Sequence, residues 1–203
     1  MSSQVIIIII VILLFAGFIG YQVMRGRKQR EAWEELARRF GLTFTPGVII
    51  FDGPTVNGVY HGRQVSMENV QRGGSKNKST YTLIHFEVNN PVGLSLSLRE
   101  NNLINRTASV FGGHKIELGD TDFDQRFILK GHPEPALVEL LSSISLRQAL
   151  LRGPALHVDL ERQSLNYERS GLETDSTRLE LLFNLLNSLA DGIDRPGVQS
   201  IRE

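Results

Sequence analysis

The sequence contains no cysteine, and its first 24 residues carry no charged side chain. Without cysteine there is no disulfide framework, no thiolate nucleophile and no cysteine-bound metal. A basic surface for nucleic acid is also missing, since residues 31–203 hold 18 of the 22 Lys and Arg residues but all 22 acids. The motifs of serine hydrolases, phosphate-binding loops and zinc peptidases do not occur either. We therefore expect no catalytic residue, no cofactor and no nucleic-acid partner.

A long apolar run occupies residues 5–24, in which only Gln22 is frankly polar. A helix of this length spans about 30 Å, the thickness of one hydrocarbon core. Insertion of so many aliphatic residues is favoured by about 5 kcal/mol or more. A signal peptide would need positive charge before a shorter apolar run, and a buried core helix is rarely so uniformly apolar. We predict a single-pass transmembrane anchor over residues 1–24, with the signal peptide and the core helix as alternatives.

A basic juxtamembrane segment, residues 25–30, follows at once and contributes Arg25, Arg27, Lys28 and Arg30. Positive charge on this side of an apolar span places the following domain in the cytoplasm, at the inner (plasma) membrane. The same four residues are predicted to lie at the membrane surface, where each attracts anionic lipid by about 1 kcal/mol. A second basic stretch in the polar loop 71–79, which could face the same membrane, contains Arg72, Lys76 and Lys78.

The rest of the chain shows two periodicities. Residues 31–40 have apolar side chains at helical spacing. In residues 42–99 apolar and polar side chains mostly alternate, and the clearest strand is at 81–88. From residue 133 the pattern is helical, interrupted by a hairpin around Arg162-Gln163. Strands in runs, rather than alternating with helices, indicate an α+β fold. We predict one antiparallel sheet with about three to four packing helices over residues 31–195 and a flexible tail over 196–203.

Several shorter patterns give finer predictions. Short strands are expected at 48–51, 115–118 and 125–130, and a tight turn at His61-Gly62. Spacing typical of a capping box places helix starts at Ser145 and near Thr177. The sequence leaves open whether residues 100–114 form a loop or a short helix, and whether the helix at 31–40 continues the membrane helix.

Three acids at alternate positions, Asp120, Asp122 and Asp124, are the strongest metal candidates. A calcium loop would then need glycine at its sixth position and an acid at its twelfth. Those positions hold Gln125 and Gly131, so a solvated acidic turn is the better interpretation. With His114, these acids would be the only visible candidates for a metal-dependent hydrolase. His85 and His157 fall on predicted strands and are interpreted as structural histidines.

Aromatic, glycine and turn residues recur in a recognisable order: Trp33, Leu36, Ala37, Phe40, Gly41, Leu42, Phe44, then Val56, Gly58, Tyr60, Gly62, Arg63, then Gly119, Asp120, Phe123, Asp124, Phe127 and Arg147. This pattern resembles a set of bacterial membrane-anchored proteins that carry a domain of unknown function. The resemblance covers most of residues 31–190 and implies a bacterial source. It implies no activity, because the shared residues are structural in type.

The sequence thus favours a non-enzymatic accessory or scaffold protein that is tethered to the membrane and binds another protein at the cytoplasmic face. The alternative is a domain that senses lipid or a small ligand at the membrane surface. A metal-dependent hydrolase is the third hypothesis.

Overall fold

The computed structural model describes residues 3–47, 53–74, 77–101 and 114–195. Its helices are α1 (Ser3–Phe40), α2 (Thr121–Arg126), α3 (Glu134–Leu140), α4 (Ile144–Arg152) and α5 (Ser176–Ile193). Its strands are β1 (Thr43–Thr45), β2 (Thr55–Tyr60), β3 (Arg63–Arg72), β4 (Ser79–Glu87), β5 (Ser95–Glu100), β6 (Phe127–His132), β7 (His157–Glu161) and β8 (Ser164–Ser170). This architecture confirms the α+β prediction.

Helix α1 runs unbroken through 38 residues, so the helix predicted at 31–40 continues the apolar one. The apolar part from Ile7 is long and apolar enough to cross a membrane, and none of its most apolar stretch is buried against the rest of the chain. A core helix would be largely buried, so that alternative is wrong. Further along, the apolar stripe at i, i+3 and i+4 spacing is buried in the domain and consists of Ala32, Trp33, Leu36 and Ala37.

The eight strands form one sheet in the order β1-β2-β3-β4-β8-β7-β5-β6, and all neighbours are antiparallel. Two tight turns connect β2 to β3 and β7 to β8, and in them His61 and Arg162 adopt positive φ angles of 48° and 55°. These hairpins confirm the turns predicted at the same residues. The β7–β8 hairpin sits inside the sheet, where β8 pairs with β4 and β7 pairs with β5.

The two faces of the sheet differ in what covers them. Successive side chains of a strand point to opposite faces, and one set is buried in a single hydrophobic core together with side chains of all five helices. We call this the covered face; its buried residues include Val56, Met67, Ile84, Phe86, Leu98, Leu129, Leu160 and Leu165. The opposite set is mostly polar and partly exposed, although Val59, Leu83 and Ile128 also belong to it. We call this side of the sheet the bare face. In the described ranges, the buried side chains of the helices lie in the core on the covered face.

Several boundaries differ from the predictions. Gln125 and Arg126 belong to helix α2 rather than to a strand, because Asp120 caps that helix. The segment 115–118 contributes only an isolated bridge between Ile116 and Leu129. Helices α4 and α5 begin earlier than predicted, since their caps are Ser143 and Asp175. The predictions for 48–51, 102–113 and the tail 196–203 lie outside the described residues.

Candidate membrane-facing site

Directly after Met24, the last residue of the apolar run, α1 carries four basic residues: Arg25, Arg27, Lys28 and Arg30. Arg27 and Lys28 are exposed, whereas Arg25 and Arg30 are half-buried. The guanidinium group of Arg25 lies over the ring of Tyr21, 5.8 Å from its centroid. Because α1 is continuous, these charges are carried at a fixed distance from the apolar stretch.

The domain holds α1 immediately after this segment. Gln29 is buried, and its side-chain amide donates a hydrogen bond of 2.9 Å to the side-chain oxygen of Asn69 on β3. Trp33 is fully buried, and its indole N–H donates to the backbone carbonyl of Glu173 over 3.0 Å. Two contacts one helical turn apart thereby hold α1 against β3 and against the segment between β8 and α5, directly after the charged segment.

A buried carboxylate reinforces this junction. Glu173 is only 3% exposed, and its carboxylate contacts Arg169 and lies 3.1 Å from the guanidinium of Arg178. Its backbone N–H donates to the hydroxyl of Thr82 on β4 over 3.1 Å. Burial raises the pKa of the neighbouring Tyr167 phenol, so that side chain stays neutral over the physiological range. These contacts tie β4, β8 and α5 to the residue that accepts the Trp33 hydrogen bond.

The β3–β4 hairpin lies at the same end of the sheet as the basic segment. The backbone N–H of Gly171 donates to the carbonyl of Thr80 over 2.8 Å, and the guanidinium of Arg25 lies beside Gly171. The hairpin carries Arg72, which pairs with Glu168 over 2.7 Å, and the exposed Lys78. Lys76, named with them from the sequence, lies outside the described residues.

Two of the three acids singled out as metal candidates make structural contacts. Asp120 accepts the backbone N–H of Phe123 as the cap of α2 and pairs with Arg147 over 3.2 Å. Asp124 accepts the backbone N–H groups of Leu118 and Gly119, each over 3.0 Å. Asp122 is exposed in the first turn of α2. The segment is therefore a capped helix rather than a solvated turn, and the described residues contain no cluster of three metal-ligating side chains.

Sequence reasoning missed a polar row that crosses the bare face. Pairing registers align side chains from six strands: Ser66, His85, Asn166, Asp159, Ser97 and Lys130. Alternation showed that each would point away from the core, but their alignment depends on strands far apart in sequence. The row is the most continuous polar feature of this face.

Hydrogen bonds connect part of this row. The Nδ1 of His85 lies 3.1 Å from the side-chain oxygen of Asn166, and the Nε2 of His157 lies 3.0 Å from Asp159. Arg99 pairs with Asp159 over 3.2 Å. Burial alone would raise the pKa of Asp159, but hydrogen bonds from His157 and Ser97, together with the Arg99 charge, leave that pKa below its ordinary value. These contacts agree with the interpretation of His85 and His157 as structural residues.

A cleft of about 700 Å³ opens on the bare face beside the β7–β8 hairpin. Its lining is polar and includes His85, Glu87, Glu161 and Asn166. Small-molecule sites are usually enclosed, whereas this cleft is wide and open to solvent. It therefore gives little support to the hypothesis of a small-ligand sensor.

Comparisons with known proteins give one informative likeness, which concerns the fold. No protein-family model matches the chain, and no curated protein does. Among solved structures, the chain is similar to the crystal structure of the mycobacterial trehalose monomycolate transport factor A, TtfA. The likeness has a TM-score of 0.57 at 10% sequence identity and covers 86% of this chain and 98% of that one. At this identity the match shows a shared fold and nothing about activity.

Proposed function

We propose that this chain is a non-enzymatic accessory protein of a bacterial inner membrane. Residues 1–24 form the anchor, residues 25–30 lie at the membrane surface, and the domain of residues 31–195 binds another membrane protein at the cytoplasmic face. The supporting observation is the unbroken helix α1, which is docked by Gln29 and Trp33 within ten residues of its apolar stretch. A helix that only tethered a mobile domain would need no such junction.

The charge distribution supports the orientation. All four positive charges near the apolar run lie on its C-terminal side, and positive residues are retained on the cytoplasmic side of a span. The protein that shares this fold is a transport factor. That likeness is compatible with an accessory role for this chain and identifies no partner for it.

The bare face supports binding to a protein. An antiparallel sheet with one face on the core can leave the other in water. In this chain α1 and the sheet are joined rigidly, so the bare face is presented beside the anchor at a constant height and angle. A partner in the same membrane then binds a surface whose orientation is already fixed, so less entropy is lost on binding.

Single-cysteine crosslinking tests this proposal, since the natural chain has no cysteine. Glu161→Cys places a thiol on the bare face, and Ser188→Cys places one on the exposed side of α5, away from that face. With a short bifunctional maleimide–photoreactive reagent in intact cells, we expect a discrete adduct from Glu161→Cys and none from Ser188→Cys. The adduct should contain the membrane protein that co-purifies with the unmodified chain in mild detergent.

Equal adducts from both positions, or a crosslinked protein that does not co-purify, would contradict the proposal. A membrane-impermeant maleimide added to spheroplasts provides the control for orientation. We expect it to label Glu161→Cys only after permeabilisation, and labelling without permeabilisation would overturn the cytoplasmic placement.

A further inference from the structure

We propose that the β3–β4 hairpin is a second membrane contact of this protein, which binds the headgroups of anionic phospholipids and holds the sheet upright on the bilayer. The inference rests on the anchoring of α1 in the membrane. It does not depend on the protein-binding role, so either proposal can fail alone.

The direction of the sheet follows from two contacts along α1. Gln29 meets Asn69 of β3, and Phe40, eleven residues later, stacks on Tyr60 at 4.6 Å between ring centroids. Tyr60 pairs with Arg63, the first residue of β3. The two contacts are about 16 Å apart along α1. Their partners on β3, Asn69 and Arg63, are about 20 Å apart along that strand, and they follow the opposite order in sequence. The similar lengths show that α1 and β3 run nearly antiparallel, so β3 points back toward the membrane.

The same rises give the height of the hairpin. From Gln29 back to Met24, the last apolar residue, α1 descends about 7.5 Å. From Asn69 to Gly73, β3 descends about 13 Å. The hairpin thus reaches the level at which the apolar stretch ends, which is where lipid headgroups begin. The position of Arg25 beside Gly171, whose N–H bonds to Thr80, gives the same level independently.

The charge at this end of the domain suits an anionic surface. Arg72 and Lys78 on the hairpin join the four basic residues of α1, and Lys78, Arg27 and Lys28 are all exposed. The neighbouring acid is Glu168, which pairs with Arg72, but the Arg72 side chain is still 60% exposed and can meet a phosphate on its other side. Each basic residue near an anionic bilayer changes partitioning by about fivefold. Phospholipid is the appropriate ligand because α1 already holds these charges at the bilayer.

The test compares two positions on one strand in the full-length chain. Gln71→Cys and Gln64→Cys are both exposed on β3 and lie about 23 Å apart along it. Each thiol is labelled with a fluorophore, and the protein is reconstituted in vesicles of phosphatidylcholine, with or without phosphatidylglycerol, that contain a headgroup spin-labelled quencher. In anionic vesicles we expect at least threefold stronger quenching at position 71 than at position 64. In neutral vesicles the difference should shrink.

Charge reversal supplies the matched variant. The double variant Arg72→Glu, Lys78→Glu should reduce quenching at position 71 in anionic vesicles to its value in neutral ones. The control, Arg38→Glu with Arg152→Glu, changes the net charge equally at two exposed residues away from the hairpin and should leave quenching unchanged.

Equal quenching at positions 71 and 64 would overturn the upright orientation. Strong quenching at 71 that does not depend on phosphatidylglycerol, or an equal effect of both reversals, would overturn anionic-lipid recognition by the hairpin. The comparison of two lipids in the same labelled protein remains decisive even if the reversal variant folds poorly.

Discussion

The covered face and the bare face of this sheet belong to the same eight strands but contain different chemistry. On the covered face, side chains such as Ile84 and Leu165 are fully buried in the core that the strands share with the helices. On the bare face, their strand neighbours His85 and Asn166 bond to one another and remain partly exposed. The difference indicates that the covered face supplies most of the folding free energy. The bare face contributes less, because its side chains stay partly exposed.

The largest effect is expected on the covered face, at Trp33. Replacement by Ala leaves a cavity under α1 and removes the hydrogen bond to Glu173, so Trp33→Ala should lower the free energy of unfolding by about 3–5 kcal/mol. Urea unfolding of the full chain in detergent, followed by far-ultraviolet circular dichroism, measures this loss. Phe15→Ala is the matched control, because that ring lies in the apolar stretch of α1 and is 64% exposed. A similar loss of unfolding free energy in both variants would contradict the inference that the covered face supplies most of the stability.

A smaller effect is expected from the buried carboxylate beside that tryptophan. Glu173→Gln removes the charge between Arg169 and Arg178 and should lower the free energy of unfolding by about 2 kcal/mol, because it weakens charge-assisted hydrogen bonds to two partly buried arginines. Trp33 is the only tryptophan, so its fluorescence reports the docking of α1 and should shift to longer wavelength at a lower urea concentration. Glu161→Gln, an exposed acid on the bare face, serves as the control. An equal shift in that variant would be inconsistent with a special role for Glu173.

The smallest effect is expected on the bare face and depends on pH. Because the pKa of Asp159 is lower in the folded chain than in the unfolded one, ionised Asp159 stabilises the fold above its ordinary pKa. This contribution disappears as the pH falls through the folded value. Asp159→Asn should therefore cost about 1 kcal/mol at pH 7 and less as the pH falls below about 4.

Thermal melts of the two proteins between neutral and acidic pH measure this difference. Asp122→Asn, at an exposed acid on α2, provides the control and should change the melting temperature at pH 7 less than Asp159→Asn does. If the melting temperatures of the Asp159 variant and the natural protein differed equally at every pH, ionised Asp159 would not be the source of the stabilisation.

The sequence predicted well those features that depend on neighbouring residues. The helical spacing of five residues predicts the buried stripe of the last helix, and all five are buried in α5: Leu179, Leu182, Leu186, Leu189 and Ile193. The alternation of residues 81–88 likewise predicts one inward set, and residues 84, 86 and 88 are buried whereas 83, 85 and 87 are not. Capping residues were less predictable, since Ser145 and Thr177 have acceptable spacing, but Ser143 and Asp175 make the actual caps. Several nearby polar residues competed for each cap, and packing of the helix start decides between them.

Of the candidate site, the sequence predicted the basic residues of α1 and the hairpin charges, but it could not show that both lie at one end of the sheet. The structure shows that α1 is unbroken through Gly26 and runs nearly antiparallel to β3. The buried contacts Gln29–Asn69 and Trp33–Glu173 fix that arrangement. Both join residues that are at least 40 positions apart in the sequence.

By itself, the sequence determined the apolar run, the basic segment that follows it and the alternation that separates core from surface, because each depends on the order of adjacent residues. Only the tertiary structure decided that β8 lies between β4 and β7, that a polar row crosses the bare face, and that the β3–β4 hairpin returns to the level of Arg25. These features depend on strand pairing and packing between distant segments, whose free energy is gained only when the whole core assembles.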